Sequence, residues 1–204
     1  MAASTYPERP RTLVVACGAL GRELVALKES TGWDALEITC LPAIWHNHPE
    51  KIAPGLRRKL QAARGYEQVF VAYGDCGSGG EIDKVIAEFG VERIAGPHCY
   101  QFFMGTDDFT ALTDADPACF FLTDYLVRHF DRLIVKGLGL DRFPELRDMY
   151  FGNYTTLVYV AQTDDPRLKV KAEQAADRLG LAFEYRYRGY GELQTFIETA
   201  RTGH

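Results

Sequence analysis

Apolar and polar positions divide this chain into short buried runs that alternate with helical stretches. Thr12 to Ala16 reads as a first buried strand, closed by Cys17 and Gly18. A helix follows from about Leu20 to Glu29, with Leu20, Leu24 and Leu27 on one face. Leu36 to Leu41 alternates as a second strand, and the loop Pro42 to Glu50 leads into a helix from Ile52 to about Arg64. Val69 to Tyr73 is a third strand, rich in β-branched and aromatic residues. It breaks at Gly74 in a glycine-rich turn. Glu81 to Phe89 then resumes at helical spacing, with Ile82, Val85, Ile86 and Phe89 on one side. Glu92 to Gly96 is a short fourth strand and Thr155 to Ala161 a fifth. Asp164 or Asp165 caps a helix from about Arg167 to Leu179, which Gly180 ends. Ala182 to Tyr187 alternates as a sixth strand before a last helix, Glu192 to Ala200.

Between the fourth and fifth strands the period changes. Helical segments are expected near Asp107 to Leu112, Asp124 to Val135 and Phe143 to Met149, with the short apolar run Cys119 to Leu122 the one stretch in this region that reads as a buried strand. Arg128, His129, Arg132, Lys136 and Arg142 in this region read as a solvated helix face. The expectation is an α/β fold: a mainly parallel, Rossmann-like sheet sandwiched by helices, with a helical insertion at about 106–154. Residues 1–11 are expected to form a disordered arm and 12–204 a single α/β domain. The alternative is two lobes, 12–105 and 155–204, separated by the insertion.

Composition narrows the function classes. A chain of 204 residues, 47% hydrophobic, is long enough to bury a core. The net charge of −5 and the absence of a basic stripe argue against nucleic acid. No apolar run approaches the roughly 20 residues of a membrane helix, and the N-terminal stretch is too polar for a secretory signal. Five cysteines, an odd number with no CxxC pair, point to reduced thiols and a cytoplasmic protein.

In a parallel sheet the carboxyl ends of the strands share one edge, where such folds bind ligands. That edge collects Cys17 after the first strand, His46 and His48 after the second, Cys76 after the third, and His98 and Cys99 after the fourth. Cys40, inside a strand, and Cys119, flanked by aromatics, read as core. Two histidines two apart in a loop face opposite ways, so one is expected inward. Cys17, Cys76, Cys99 and His46 form the expected metal site, with His48 and His98 as secondary candidates. Three thiols and an imidazole suit zinc; an iron–sulfur cluster, cobalt or copper are the alternatives. Such a sheet folds without a metal, so the site is expected to be catalytic or a carrier. Tyr73 and Asp75 are candidates for proton handling, Asp75 equally for capping the next helix. Gly18, Gly74 and Gly77 are candidate cofactor-binding positions. The turn is neither G-x-G-x-x-G nor followed by Lys-Ser or Lys-Thr, which excludes a dinucleotide fingerprint and a P-loop.

Ala16-Cys-Gly18, His46-x-x-Pro-Glu-Lys51, Tyr73-Gly-x-Cys-Gly77, Cys99-x-x-x-Phe-x-Gly105 and Phe120-Phe-Leu-Thr123 together resemble the domain-of-unknown-function 1638 family. The resemblance runs from Val14 to about Asp124 and is weaker beyond. Where that family shows His-Asp-Cys, this chain has Pro97-His98-Cys99. The resemblance carries no settled activity. It implies an association with corrinoid-dependent methyl transfer and one-carbon metabolism, hence a small-molecule substrate or a methyl-transfer partner protein. Two other functions are weighed: metal or cofactor delivery without turnover, and a metal-free enzyme using Cys76 as a reactive thiol.

Overall fold

The computed structural model describes residues 10–202. All but the last two residues of the expected arm, 1–11, lie outside the described residues. The chain builds two parallel sheets. The first has the order β2-β1-β3-β4, with β1 at Thr12–Cys17, β2 at Leu36–Leu41, β3 at Gln68–Ala72 and β4 at Glu92–Arg93. Thr12 pairs with Leu36 on one side and with Gln68 on the other. All six residues of β1 are buried, as a central strand covered on both faces requires. The flanking helices are α1 (Gly21–Thr31), α2 (Ile52–Ala62) and α3 (Glu81–Phe89).

The second sheet, β5-β6-β7, corrects the expected single sheet with a helical insertion. Its strands are β5 (Cys119–Thr123), β6 (Thr156–Ala161) and β7 (Ala182–Tyr187), all parallel. β5 grows from the short apolar run, Cys119 to Leu122, inside the expected helical insertion. Its partner, β6, begins 33 residues after β5 ends, so the pairing is non-local. Its residues are apolar on both faces, and no polar alternation marks it as a strand. Phe121, Val158 and Val160 point into the core shared with the first sheet. Leu122, Leu157, Tyr159 and Ala161 point to a second core, under α8 (Pro166–Leu179) and the helix after β5. That helix, α6 (Asp124–Arg128), continues into a π-helical turn at Asp131–Val135.

The remaining helices are α4 (Cys99–Met104), α5 (Thr106–Ala115), α7 (Leu146–Phe151) and α9 (Gly191–Thr202). α4 packs on α9 and against β5 and β6, so the chain closes back onto its first half through Leu193, Ile197 and Ala200. Among the described residues no helix is long and apolar enough to cross a membrane. The 3-10 turn after β1, Gly18–Leu20, packs on α6, the helix after β5. The carboxyl ends of the two sheets therefore face one another, and the site lies between them.

Candidate functional site

A largely enclosed cavity of about 20 Å³ sits where these strand ends meet. Cys17, Tyr73, Cys76 and Cys99 line it from the first sheet, with His46 from the loop after β2. Tyr125, Leu126 and Leu133 close it from the second sheet. Most of the remaining wall is apolar: Ala19, Leu20 and Ala43. Apart from its three thiols, one imidazole and two phenols, the cavity offers little to a charged ligand.

Local structure explains how the thiols arrive here. Cys17 is the last residue of β1 and caps the 3-10 turn, its Sγ accepting from the Ala19 N–H at 3.5 Å. Cys76 follows β3 with φ of 47°; among the described residues it is the one non-glycine with positive φ. Such strain persists only where surrounding contacts impose it. Here the Cys76 N–H donates to the Pro97 carbonyl at 2.8 Å. Cys99 is the buried first residue of α4. Two glycines make these approaches possible. A Cβ at Gly18 would stand 2.9 Å from the Leu41 carbonyl oxygen, and one at Gly74 would stand 2.8 Å from that of Pro97. Gly74 thus joins the Cys76 loop to the Cys99 segment, and Gly18 joins the Cys17 turn to the loop carrying His46. Gly77 is a turn residue with φ of 78°.

As they stand, the thiols are neutral. Burial, and after it the neighbouring Cys17 thiol and the Asp75 carboxylate, push Cys76 up to about 12. Burial likewise raises Cys17, against the Ala19 N–H and the Tyr73 hydroxyl, which lower it. It holds Cys99 well above the usual thiol range, with Cys76 and Cys17 adding to the effect. Burial also raises Tyr73, and its interaction with Cys17 raises it further. His46 keeps an exposed outer side, while the protein packed around the ring lowers its pKa.

The other candidates stand elsewhere. His48 lies outside the cavity, its Nδ1 3.6 Å from Glu50. His98 stacks on Tyr100 at 4.8 Å, and its Nδ1 is buried without a hydrogen-bond partner. Asp75 organises the glycine-rich turn: it accepts from the Ser78 hydroxyl at 2.7 Å and the Gly80 N–H at 2.8 Å, and these bonds lower its pKa. It does not line the cavity. Cys40 is half-buried against the core. Cys119 lies on the core-facing side of β5, 3.4 Å from Asp116. Among the described residues no group of three or more His, Cys, Asp or Glu side chains is arranged to hold a metal ion as it stands.

Two acids near this site escape sequence reasoning. Asp124, fully buried at the start of α6, accepts from Tyr159 Oη at 2.7 Å, from the backbone N–H groups of Gln162 and Thr163, and from the Thr163 hydroxyl. Glu23 is 5% exposed, and its Oε2 lacks a partner. Its signal is legible in retrospect: an acid three residues after Leu20 and four before Leu27 lies on the apolar face of its helix.

No curated protein matches the chain. Among solved structures it is similar to the ornithine carbamoyltransferase from Pyrococcus furiosus, at 13% identity and a TM-score of 0.27, over 88% of this chain. The chain spans 55% of that protein's length, and a likeness of this size carries no argument about activity. The family described as "Protein of unknown function (DUF1638)" matches residues 40–197. The span includes His46, Cys76 and Cys99. It starts after Cys17, and it extends well beyond Asp124 into α9. With most of its length matched in this way, the chain belongs to the DUF1638 family.

Proposed function

We propose that this protein binds one soft metal ion, zinc, through Cys17, Cys76 and Cys99, with His46 as the fourth ligand. The observation that carries this reading is convergence: three thiols and one imidazole from four separate strand-end loops line one cavity. Its volume, about 20 Å³, leaves room for one water-sized occupant, which favours a single ion over an iron–sulfur cluster. The donor chemistry fits a zinc ion, although the thiols must reorient to close on it.

Electrostatics supports the same reading over a metal-free thiol. A thiol near pKa 12 is ionised in only about one molecule in 10⁵ at pH 7, so Cys76 is a poor nucleophile unaided. A bound cation reverses this, because a coordinating thiol is deprotonated outright. Three thiols buried together are costly to ionise alone, and a divalent ion compensates their charge.

The reaction class we assign is transfer of a methyl group or related one-carbon unit from a small-molecule or protein-bound donor to a cysteine thiolate of this site. The sulfur–carbon bond forms as the donor–carbon bond breaks, and the donor leaves with that bond's electron pair. When bound, the ion would supply an activated thiolate. The chain's own residues do the rest. Leu20, Ala43, Leu126 and Leu133 exclude water and suit a small apolar group. The Tyr73 hydroxyl lines the same cavity as Cys17 and lowers that thiol's pKa against the effect of burial. Delivery of the ion to a partner protein is the alternative, and turnover separates the two.

Cobalt(II) titration tests the reading. Saturation near one equivalent, with thiolate-to-cobalt charge-transfer absorption that weakens in Cys76→Ser, is expected. Absorption typical of oxygen ligation alone would defeat it.

A further inference from the structure

A second cavity, of about 230 Å³, opens on the far side of α6. Its walls are α6, the start of the π-helical turn and α8, and they carry Arg128, Asp131, Lys171, Gln174 and Arg178. In a chain of net charge −5, this hollow holds three cations against one carboxylate. The spacing is regular: Lys171, Gln174 and Arg178 recur at i, i+3 and i+7, one face of α8. Glu173 and Asp177 of the same helix do not line it.

Two of the cations have carboxylate partners, and one of those partners is buried. Arg128 reaches 3.4 Å to Asp124, whose carboxylate is fixed by Tyr159, Gln162 and Thr163. Arg178 pairs with Asp131 at 2.7 Å. Among the described residues Lys171 forms no ion pair, and its ammonium is exposed at the same hollow. Two planar guanidinium groups and an ammonium around one hollow match the oxygens of a phosphoryl group.

We propose that this cavity binds a small phosphate-bearing anion. The site is separate from the thiol cavity and does not depend on a metal there. The two share one wall: Tyr125 and Leu126 of α6 face the thiols, while Val127 and Arg128 face this hollow.

The test is calorimetric titration of the full chain with pyrophosphate and inorganic phosphate at low ionic strength, against sulfate at matched ionic strength. Saturable binding of pyrophosphate in preference to sulfate is expected. Lys171→Gln and Arg178→Gln should each weaken it roughly tenfold, as loss of a charge-assisted bond does. Both positions are exposed, so folding is preserved; unchanged circular dichroism and Tm confirm it. Preference for inorganic phosphate identifies the free ion as the occupant, and preference for pyrophosphate a phosphorylated molecule. No saturable binding, equal binding of sulfate, or unaltered affinity in both variants would overturn the proposal.

Discussion

Gly74→Ala separates the requirements of the site from those of the fold. A methyl group there would stand 2.8 Å from the Pro97 carbonyl oxygen and 2.9 Å from the His98 nitrogen, against 3.4–4 Å for ordinary contact. The three nearest atoms are all backbone, so relief cannot come from a side chain swinging aside. The end of β3 and the Pro97–His98 segment must part by roughly 0.6 Å, an overpacking that costs about 1–3 kcal/mol. For a chain of this size that is a fall in Tm of about 2–12 °C. The same seam carries the hydrogen bond from the Cys76 N–H to the Pro97 carbonyl, which must lengthen. Cys76 and Cys99 then separate, and iodoacetamide should label both faster in the metal-free protein. Gly79→Ala is the control. Its φ is 65° with nothing within 4 Å, so it bears only the left-handed strain of about 1–2 kcal/mol and leaves thiol labelling alone. A Tm within about 1 °C of the parent and unchanged labelling in Gly74→Ala would refute the close-approach argument.

Other perturbations follow from the same geometry. Asp124→Asn removes the charge on which Tyr159, Thr163 and Arg128 converge. It should lower the unfolding free energy in urea by about 3 kcal/mol, whereas a loss under about 1 kcal/mol would contradict the buried-network reading. Asn47→Ala cuts the 2.9 Å bond to the Leu133 carbonyl that ties the His46 loop to the far wall of the cavity. It should cost about 1 kcal/mol and speed alkylation of Cys76; equal labelling rates would show that this contact does not gate the cavity. The raised thiols also set the pH response of the metal-free protein. An unfolded thiol ionises near 9.0 and folded Cys76 near 12, so the folded chain holds its proton more tightly. Stability is full below pH 9 and declines as pH rises through that window. Chemical denaturation at stepped pH reads this, and a flat profile from pH 9 upward would contradict the burial of the trio.

Much of the parallel architecture is legible in the residues. β2 and β7 carry period-two patterns, β1 and β3 carry dense apolar runs, and Asp165, Pro166 and Gly180 punctuate α8 as cap, first turn and stop. The second sheet is not, because β5 is five residues long, apolar on both faces, and paired with a strand 33 residues further on. Local periodicity does not encode that choice of partner. The site divides in the same way. Cys17, Cys76 and Cys99 are visible as residues at strand ends, and topology alone brings them together. The expected split between His46 and His48 follows from their spacing, and the structure sets His46 against the cavity and His48 beside Glu50. Tyr125, Leu126 and Leu133 fall within the helix expected at Asp124 to Val135, but their place in the cavity wall depends on β5 pairing with β6, which the local pattern does not encode.

The most direct test of the central claim is the metal content of protein purified without a histidine tag, for the parent and for Cys17→Ser, Cys76→Ser, Cys99→Ser and Cys119→Ser. About one zinc per chain is predicted in the parent and in Cys119→Ser, whose thiol lies outside the cavity, with loss in the other three. Absence of stoichiometric metal from aerobic and anaerobic preparations alike, or its retention in all three cavity variants, would contradict the account.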